Sequence, residues 1–143
     1  MASAEGSITI NRPIQDVFAF VSNKENDSRW SPSIVEVQRV SGDGTVGTKY
    51  RQVIKVPGRG QVPTEVEVTS YDPGKRYAFH GTDGPVKPEG SFDFADEGGA
   101  TRVTFKLDAQ LSGPAKLMGP MVGKGMKSEV EALDRLKQVL ETA

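Results

Sequence analysis

The stretch that decides the fold is residues 116–142, which read KLMGPMVGKGMKSEVEALDRLKQVLET. Apolar residues recur in its second half at helical spacing, so we predict one amphipathic helix that ends near Glu141. The apolar stripe consists of Val130, Leu133, Leu136 and Leu140. A helix over 114–142 would extend roughly 43 Å, at about 1.5 Å per residue. It is the one long helical element of the chain, and it must cover the apolar surface that the other elements present.

The first half of this stretch is a poor helix former. Each of its three glycines costs about 0.5–1 kcal/mol relative to alanine, and Pro120 would cost about 3 kcal/mol inside a helix. Either the helix begins late, with Gly119 as its N-cap and Pro120 at its first position, or it begins near Pro114 and bends at Pro120. Three flexible side chains accompany the glycines: Met118, Met121 and Met126. Methionines repack around varied shapes, so this half either lines or gates an apolar pocket, or is plain core.

Upstream of this helix, the chain begins with a strand and two short helices. Ser7–Ile10 alternates weakly and predicts the strand. Asn11 is a suitable N-cap for the first helix, with Pro13 in its first turn. The apolar face of this helix consists of Ile14, Val17, Phe18 and Val21. A second short helix follows, capped by Ser22 or Asn23.

The hydrophobic period over residues 34–111 is that of strands. About six antiparallel strands are separated by turns or loops, with the sequences SGDGTVG, PGRG, YDPGKRY, GTDGPVKPEG and DEGGA. Each strand has one apolar and one polar face; Tyr50 and Gln52, for example, face one way and Arg51 the other. Because such a sheet is covered on one side only, the long helix must lie on its apolar side. The sequence therefore predicts an α+β fold.

Composition limits the classes of function. The 143 residues suffice for a single domain, 1–143, and a net charge of −1 gives no broad attraction to nucleic acid or anionic membrane. Cysteine is absent, which excludes disulfides and thiol catalysis. No apolar run is long enough to span a bilayer, and MASAEGSITIN lacks the pattern of a signal peptide. We expect a cytoplasmic monomer or homodimer that does not bind nucleic acid.

Six segments carry a family resemblance: SITINRPIQDVFAFVSN, RWSPSIVEV, GTVGTKY, YDPGKRYAF, GGATRVTF and LKQVLE. In this order they resemble the helix-grip superfamily, which includes START lipid-transfer domains, the birch-pollen allergen family, aromatic polyketide cyclases and ubiquinone-binding proteins. The small bacterial polyketide cyclase/dehydrase-like branch is the most similar. The resemblance covers nearly the whole chain. It implies a helix-grip fold: a curved seven-stranded antiparallel sheet wrapped around a long C-terminal helix, with two short helices after the first strand and a cavity between sheet and helix.

The resemblance and the strand alternation together suggest ligand-binding residues. The candidates are Trp30, Tyr50, Gln52, Phe79, Phe105, Met118, Met121, Val122 and Met126. Trp30 is either a wall of the cavity or a buried core residue. A buried Tyr50 hydroxyl or Gln52 amide needs a hydrogen-bond partner, which a ligand, a water molecule or a backbone group could supply.

The candidates for acid–base catalysis are few. His80 is the only histidine and has a suitable pKa, but alternation puts it on the face opposite Phe79. Tyr50 and Gln52 are the other weak candidates. No second histidine is available for a zinc site, and GDGTVG joins two strands rather than opening a helix, as a phosphate-binding loop would. We therefore expect neither a metal nor a cofactor.

Three functions remain open at this point. The first is binding of a hydrophobic small molecule, such as a lipid, a quinone or a polyketide-like compound, in the cavity. The second is a polyketide cyclase/dehydrase-type enzyme, in which orientation within a shaped pocket supplies much of the acceleration. The third is a protein-interaction or stress-response module without a ligand, for which a large exposed apolar patch would be expected.

Overall fold

The structure, a computed structural model, describes residues 2–56, 60–83, 86–111 and 119–142. The strands are β1 Ala2–Ile10, β2 Ile34–Ser41, β3 Lys49–Val56, β4 Gly60–Asp72, β5 Arg76–Gly81, β6 Val86–Glu97 and β7 Ala100–Leu111. The helices are α1 Ile14–Ser22, a 3₁₀ helix Lys24–Arg29, α2 Gly119–Glu131 and α3 Leu133–Glu141. This order of elements confirms the predicted one.

The strands form one antiparallel sheet in the order β1-β7-β6-β5-β4-β3-β2. The helices cover one side of it, which we call the inner face; the other side is the outer face. The predicted helix-grip arrangement of a seven-stranded antiparallel sheet and C-terminal helices is therefore confirmed. β1 and β2 are the edge strands, and β2 carries register shifts between Ile34 and Glu36 and between Arg39 and Ser41.

β1 is longer than the predicted Ser7–Ile10, because it pairs with β7 along its full length, from Ala2 opposite Ala109 to Ile10 opposite Thr101. Small residues hide this part of the strand in the sequence. Gly6 lies directly under α2, and a methyl group there would collide with the Val130 side chain. The close approach of strand and helix thus depends on a residue that contributes nothing to the hydrophobic pattern.

The two predicted caps of the short helices differ in outcome. Asn11 is not the N-cap of α1; Pro13 occupies that position in an extended conformation. The backbone N–H of Asn11 instead donates to Oε2 of Glu141, 2.7 Å away. Asn23 does cap the 3₁₀ helix, since its side chain accepts from the backbone N–H of Glu25.

The predicted loop GTDGPVKPEG is partly strand, because β6 begins at Val86. Pro88 opposes Ala109 of β7, whereas the pairing of β6 with β5 ends at Glu89. Gly81, the last residue of β5, lies against Pro88, and a Cβ there would collide with the proline ring. The proline thus coincides with the end of the ladder between β5 and β6.

The C-terminal helical region is interrupted at Ala132, where one helix was predicted. The backbone N–H of Ala132 contacts the carbonyl groups of both Ser128 and Glu129. Alanine itself favours helix. The interruption lies where the helical region changes its packing partners, since α2 contacts β1 and β7 whereas α3 contacts β1. The predicted apolar stripe is buried as expected; its members are Val130, Leu133, Leu136 and Leu140.

The start of this helical region depends on residues 112–118, which lie outside the described residues. Within the described part, α2 extends from Gly119 with Pro120 in its first turn. The two alternatives for the start of the helix, a late start at Gly119 and a bend at Pro120, therefore both stay predictions.

Candidate functional site

An aromatic cluster occupies the middle of the inner face. Phe92 and Phe105 are directly opposite each other in β6 and β7, and their rings stack with centroids 4.2 Å apart. Trp30, which follows the 3₁₀ helix, packs edge-on against both rings, at 6.2 and 6.1 Å. Tyr77 of β5 lies on the other side of Phe92, at 6.4 Å. The four rings join three strands to the segment after the 3₁₀ helix.

A stacked arrangement of Gly90, Phe79 and Lys24 lies beside this cluster. The Phe79 ring lies against Gly90 of the neighbouring strand, where any Cβ would collide with it. Nζ of Lys24 lies over the same ring, 3.8 Å from its centroid. An ammonium group over an aromatic face is attracted by the ring quadrupole, and more strongly where water is excluded.

Lys24 also forms an ion pair with Asp27 inside the protein. Nζ of Lys24 is 2.7 Å from Oδ2 of Asp27, and the two side chains are 2% and 6% exposed. Burial raises the pKa of Asp27, because the carboxylate loses its hydration; Lys24 opposes this rise and Glu129 adds to it. A charged pair of this kind is costly to bury, so its presence inside the fold calls for an explanation beyond stability.

Four buried polar atoms near these residues have no hydrogen-bond partner among the residues that the structure describes. They are Nε1 of Trp30, Oε1 of Gln52, Oγ1 of Thr64 and the hydroxyl of Tyr77. Trp30 lies close enough to Asp27 to lower its pKa slightly but makes no hydrogen bond of normal geometry to it. Buried polar groups without partners are rare in folded proteins, and each one points to a water molecule or a ligand.

The inner face of β3 supplies part of this set. Tyr50 and Gln52 are 2% and 6% exposed, as the alternation predicts. Gln52 lies opposite Thr64 of β4, so their two unpartnered oxygen atoms belong to neighbouring positions of the sheet. Burial raises the pKa of both Tyr50 and Tyr77 above the ordinary tyrosine value, so both hydroxyl groups stay protonated at neutral pH.

α2 is fastened to the segment between the 3₁₀ helix and β2. The Glu129 carboxylate accepts hydrogen bonds from the hydroxyl groups of Ser31 and Ser33. These bonds fix the helix next to Trp30 and bring a second carboxylate towards Asp27.

The structure brings together the sequence-predicted residues of the inner face. Trp30, Tyr50, Gln52, Phe79, Phe105 and Met126 are all buried there. Met118 lies outside the described residues, and so do the side chains of Met121 and Val122, although their backbone belongs to α2. His80 lies on the outer face, 3.6 Å from Glu67, and does not join the set.

The outer face has an open depression of about 370 Å³. Small residues such as Ala78 and Ser91 line it together with charged side chains: Arg76, His80, Glu89, Asp93, Lys106 and Asp108. Arg76 and Asp93 already pair across it at 3.0 Å. Exposed charges that pair with each other are typical of a solvated sheet surface, so the inner face is the better candidate site.

Sequence reasoning missed Lys24, Asp27, Thr64 and Tyr77. Charged residues in a short polar helix normally face water, so nothing in KENDSR indicated a buried pair. Thr64 and Tyr77 could have been found, because Thr64 opposes Gln52 and Tyr77 shares the alternation phase of Phe79.

The family model described as polyketide cyclase/dehydrase and lipid transport matches residues 1–141. The chain belongs to this family. No curated protein sequence matches the chain. The family assignment agrees with the resemblance carried by the six sequence segments.

Several solved structures share the fold of this chain. A protein from Thermus thermophilus is 24% identical, with 98% of this chain and 97% of that chain covered and a TM-score of 0.82. A START superfamily protein from Mycobacterium smegmatis is 18% identical, with 99% of both chains covered and a TM-score of 0.82. The Zhui aromatase/cyclase from a Streptomyces species is 12% identical, with 96% and 94% covered and a TM-score of 0.76. At these identities the likeness establishes the fold alone.

Membrane-spanning helices and metal clusters are both absent from the described residues. None of the helices there is long and apolar enough to cross a membrane. Those same residues contain no cluster of three or more histidine, aspartate or glutamate side chains that could hold a metal ion.

Proposed function

We propose that this protein binds a hydrophobic small molecule between the inner face of its sheet and its C-terminal helices. The observation that carries the proposal is the set of four buried polar atoms, unpartnered within the described residues, on a face that is otherwise apolar and aromatic. Each such atom costs about 1–3 kcal/mol while it lacks a hydrogen bond. A ligand with an apolar body and a few oxygen or nitrogen atoms would satisfy them, as is usual in small-molecule sites.

The family description, which includes lipid transport, supports the same function. The candidate contacts are the aromatic cluster for the apolar body and Trp30, Gln52, Thr64 and Tyr77 for the polar atoms. Met126 of α2 is a further apolar contact, and Met118, Met121 and Val122 stay candidates from the sequence.

Native mass spectrometry tests this proposal. The protein is purified under mild conditions and its mass is measured before and after extraction with an organic solvent. We expect a bound small molecule that extraction removes, and we expect its return to raise the melting temperature, because ligands that bind only the native state stabilise it. A protein that carries no small molecule, and that no apolar compound from a lipid and aromatic panel stabilises, would contradict the proposal.

Tyr77→Phe provides the matched variant for this measurement. The substitution keeps the ring against Phe92 and removes only the unpartnered hydroxyl group. It is expected to weaken retention of the ligand without lowering the melting temperature of the extracted protein. Ser91→Ala, on the outer face, is the control and is expected to retain the ligand as the wild type does.

A second candidate function is catalysis of the cyclase/dehydrase type, which the aromatase/cyclase among the similar structures makes relevant. It is favoured by the convergence of Tyr50, Tyr77 and the Lys24–Asp27 pair on the inner side of the fold. Two protonated tyrosines can donate hydrogen bonds to the carbonyl oxygen atoms of a substrate, and a shaped pocket can orient its chain. The test follows the absorbance of the aromatic product that forms from a synthetic poly-β-ketone. The product should form faster with the protein than without it, and more slowly with Tyr77→Phe than with the wild type.

A further inference from the structure

We infer that Asp27 and Glu129 make the interior selective for charge: a neutral ligand that carries a carbonyl oxygen binds there, and a carboxylate of the same shape is rejected. This inference rests on the proposed ligand-binding function and adds the chemical class of the ligand and the residues that select it. Three features of the buried site lead to it: its free hydrogen-bond donors, its paired cation and its surplus of negative charge.

Two of the hydrogen-bond donors without partners in the described part of the chain lie around Asp27. Nε1 of Trp30 can only donate, and the Tyr77 hydroxyl is protonated and can donate as well. Burial is the main cause of the raised pKa of both Asp27 and Tyr77. The Trp30 side chain, which is directed towards Asp27, slightly lowers the pKa of that carboxyl group, and the charge of Asp27 adds to the rise in the pKa of Tyr77. A ligand group that satisfies these donors must present an acceptor atom, such as a carbonyl oxygen.

The cation at this site, Lys24, is already neutralised. It contacts Asp27 at 2.7 Å, and the Phe79 ring covers a second side of its ammonium group at 3.8 Å. An incoming carboxylate would therefore have to compete with Asp27 for Lys24. In a dehydrated site, whichever of the two carboxylates did not contact Lys24 would be a buried charge without a partner, which is strongly unfavourable.

The neighbouring carboxylate of Glu129 adds to the repulsion. Its oxygen atoms are held by Ser31 and Ser33, and its charge already raises the pKa of Asp27 across the site. With the two carboxylates and the ammonium group of Lys24, the region has a surplus of negative charge. A neutral carbonyl oxygen escapes this repulsion and still accepts from Trp30 and Tyr77.

Three probes of nearly equal shape test the inference: ethylnaphthalene, acetylnaphthalene and naphthoate. They carry at the same ring position an apolar group, a neutral carbonyl group and a carboxylate. Their affinities are measured by equilibrium dialysis at neutral pH, where the carboxylic acid is ionised. For the wild type we expect acetylnaphthalene to bind more tightly than ethylnaphthalene, and naphthoate to bind about tenfold more weakly than acetylnaphthalene, or worse.

Asp27→Asn is the decisive variant, because it keeps the shape of the side chain and frees the charge of Lys24. We expect the preference to reverse, so that naphthoate binds at least as tightly as acetylnaphthalene. Glu129→Gln should reduce the preference in the same direction but by less. Tyr77→Phe should remove most of the advantage of acetylnaphthalene over ethylnaphthalene while the affinity for ethylnaphthalene stays the same.

The outcomes separate this inference from the proposed function. Equal binding of acetylnaphthalene and naphthoate by the wild type would overturn the charge selection and leave ligand binding intact. An unchanged preference in a folded Asp27→Asn variant would overturn the role of Asp27. If that variant does not fold, the wild-type ratio and Glu129→Gln decide the matter. Failure of all three probes to bind would count against the proposed function, and the inference would fall with it.

Discussion

Thr64 and Thr101 differ in what their buried hydroxyl groups contact. Oγ1 of Thr101 donates to the backbone carbonyl of Arg12 at 2.8 Å, whereas Oγ1 of Thr64 has no partner in the described part of the chain. A made hydrogen bond contributes to stability, and an unmade one costs the desolvation of the group. The same substitution at the two positions therefore distinguishes a structural hydroxyl from one reserved for a ligand.

We predict that Thr64→Val leaves the free energy of unfolding unchanged or raises it slightly, whereas Thr101→Val lowers it by about 1–2 kcal/mol. Urea unfolding of the extracted proteins measures both. In ligand-loaded samples, Thr64→Val should be less stable than the wild type, because the variant loses a contact to the bound molecule. Equal destabilisation by both substitutions in the empty protein would show that the Thr64 hydroxyl has an internal partner.

The Lys24–Asp27 pair makes a second prediction at the residue scale. Lys24→Met leaves the Asp27 carboxylate buried without a counter-ion, so we expect a loss of about 3–5 kcal/mol at pH 7. The raised pKa of Asp27 means that the folded protein holds this proton more tightly than the unfolded chain does, so this group favours folding as the pH falls. The deficit of Lys24→Met relative to the wild type should accordingly shrink as the pH is lowered from 7 towards 5.

The double variant Lys24→Met/Asp27→Leu is the control for this prediction. It removes both charges and keeps apolar side chains in their place, so it should recover most of the lost stability. Guanidinium unfolding of the wild type, Lys24→Met, Asp27→Leu and the double variant completes the double-mutant cycle. A double variant as unstable as Lys24→Met alone would mean that packing, rather than charge, causes the loss.

At the scale of elements, α3 is pinned to the start of the chain by its last turn. Glu141 accepts from the backbone N–H of Asn11 and pairs with Lys137, and its own carbonyl accepts from Arg12. Lys137 in turn donates to the carbonyl of Thr9. Helix α3 and the turn between β1 and α1 are thus held together by a network that includes one titratable carboxylate.

The pKa of Glu141 lies below its ordinary value of 4.5, mainly because of the hydrogen bond from the backbone N–H of Asn11 and, to a smaller extent, because of Lys137. A carboxyl group with a lowered pKa contributes stability above its ordinary pKa, and this contribution is lost as the pH falls through the lowered value. We therefore predict that Glu141→Gln lowers the melting temperature at pH 7, and that the difference from the wild type disappears well below pH 4.5, where Glu141 is itself protonated. Thermal unfolding followed by circular dichroism measures this.

Glu131→Gln is the matched control for the charge change. Glu131 is exposed and, within the described ranges, forms neither a hydrogen bond nor an ion pair through its side chain. It should leave the melting temperature nearly unchanged at both pH values. A similar loss in Glu131→Gln would attribute the effect to net charge and not to the network around Glu141.

The hydrophobic pattern predicted whole elements better than it predicted their details. Alternation correctly put Tyr50 and Gln52 on the inner face, and the helical stripe correctly put Leu136 in the core. The interruption at Ala132 was not predictable, since alanine favours helix and no glycine or proline marks the position. Lys24 and Asp27 were missed because burial of a charged pair depends on the neighbours that the fold brings to it.

At the scale of the whole molecule, a series of side-chain contacts from Glu129 onwards attaches the described helical region to the rest of the fold. Glu129 bonds to Ser31 and Ser33, Val130 packs on Gly6, and Lys137 and Glu141 hold the turn after β1. The first turns of α2 contain Gly123 and Gly125, which lower helix stability, and the space beside Gly125 is open. Within the described residues, the helix is therefore intrinsically least stable over its first turns, where these glycines lie.

This gradient predicts where the molecule opens. Hydrogen exchange followed by mass spectrometry should show that backbone amides over 119–125 exchange through local opening, with a lower free energy than amides over 133–141, which should require nearly global unfolding. A ligand beneath α2 should slow exchange over 119–125 much more than over 133–141, because it adds contacts to the segment whose glycines make it the less stable helix. Gly125→Ala, which fills open space and favours helix, should slow exchange of the first segment even without ligand. Equal protection of the two segments in the extracted protein would mean that the helical region opens as one unit and that a ligand must enter by another route.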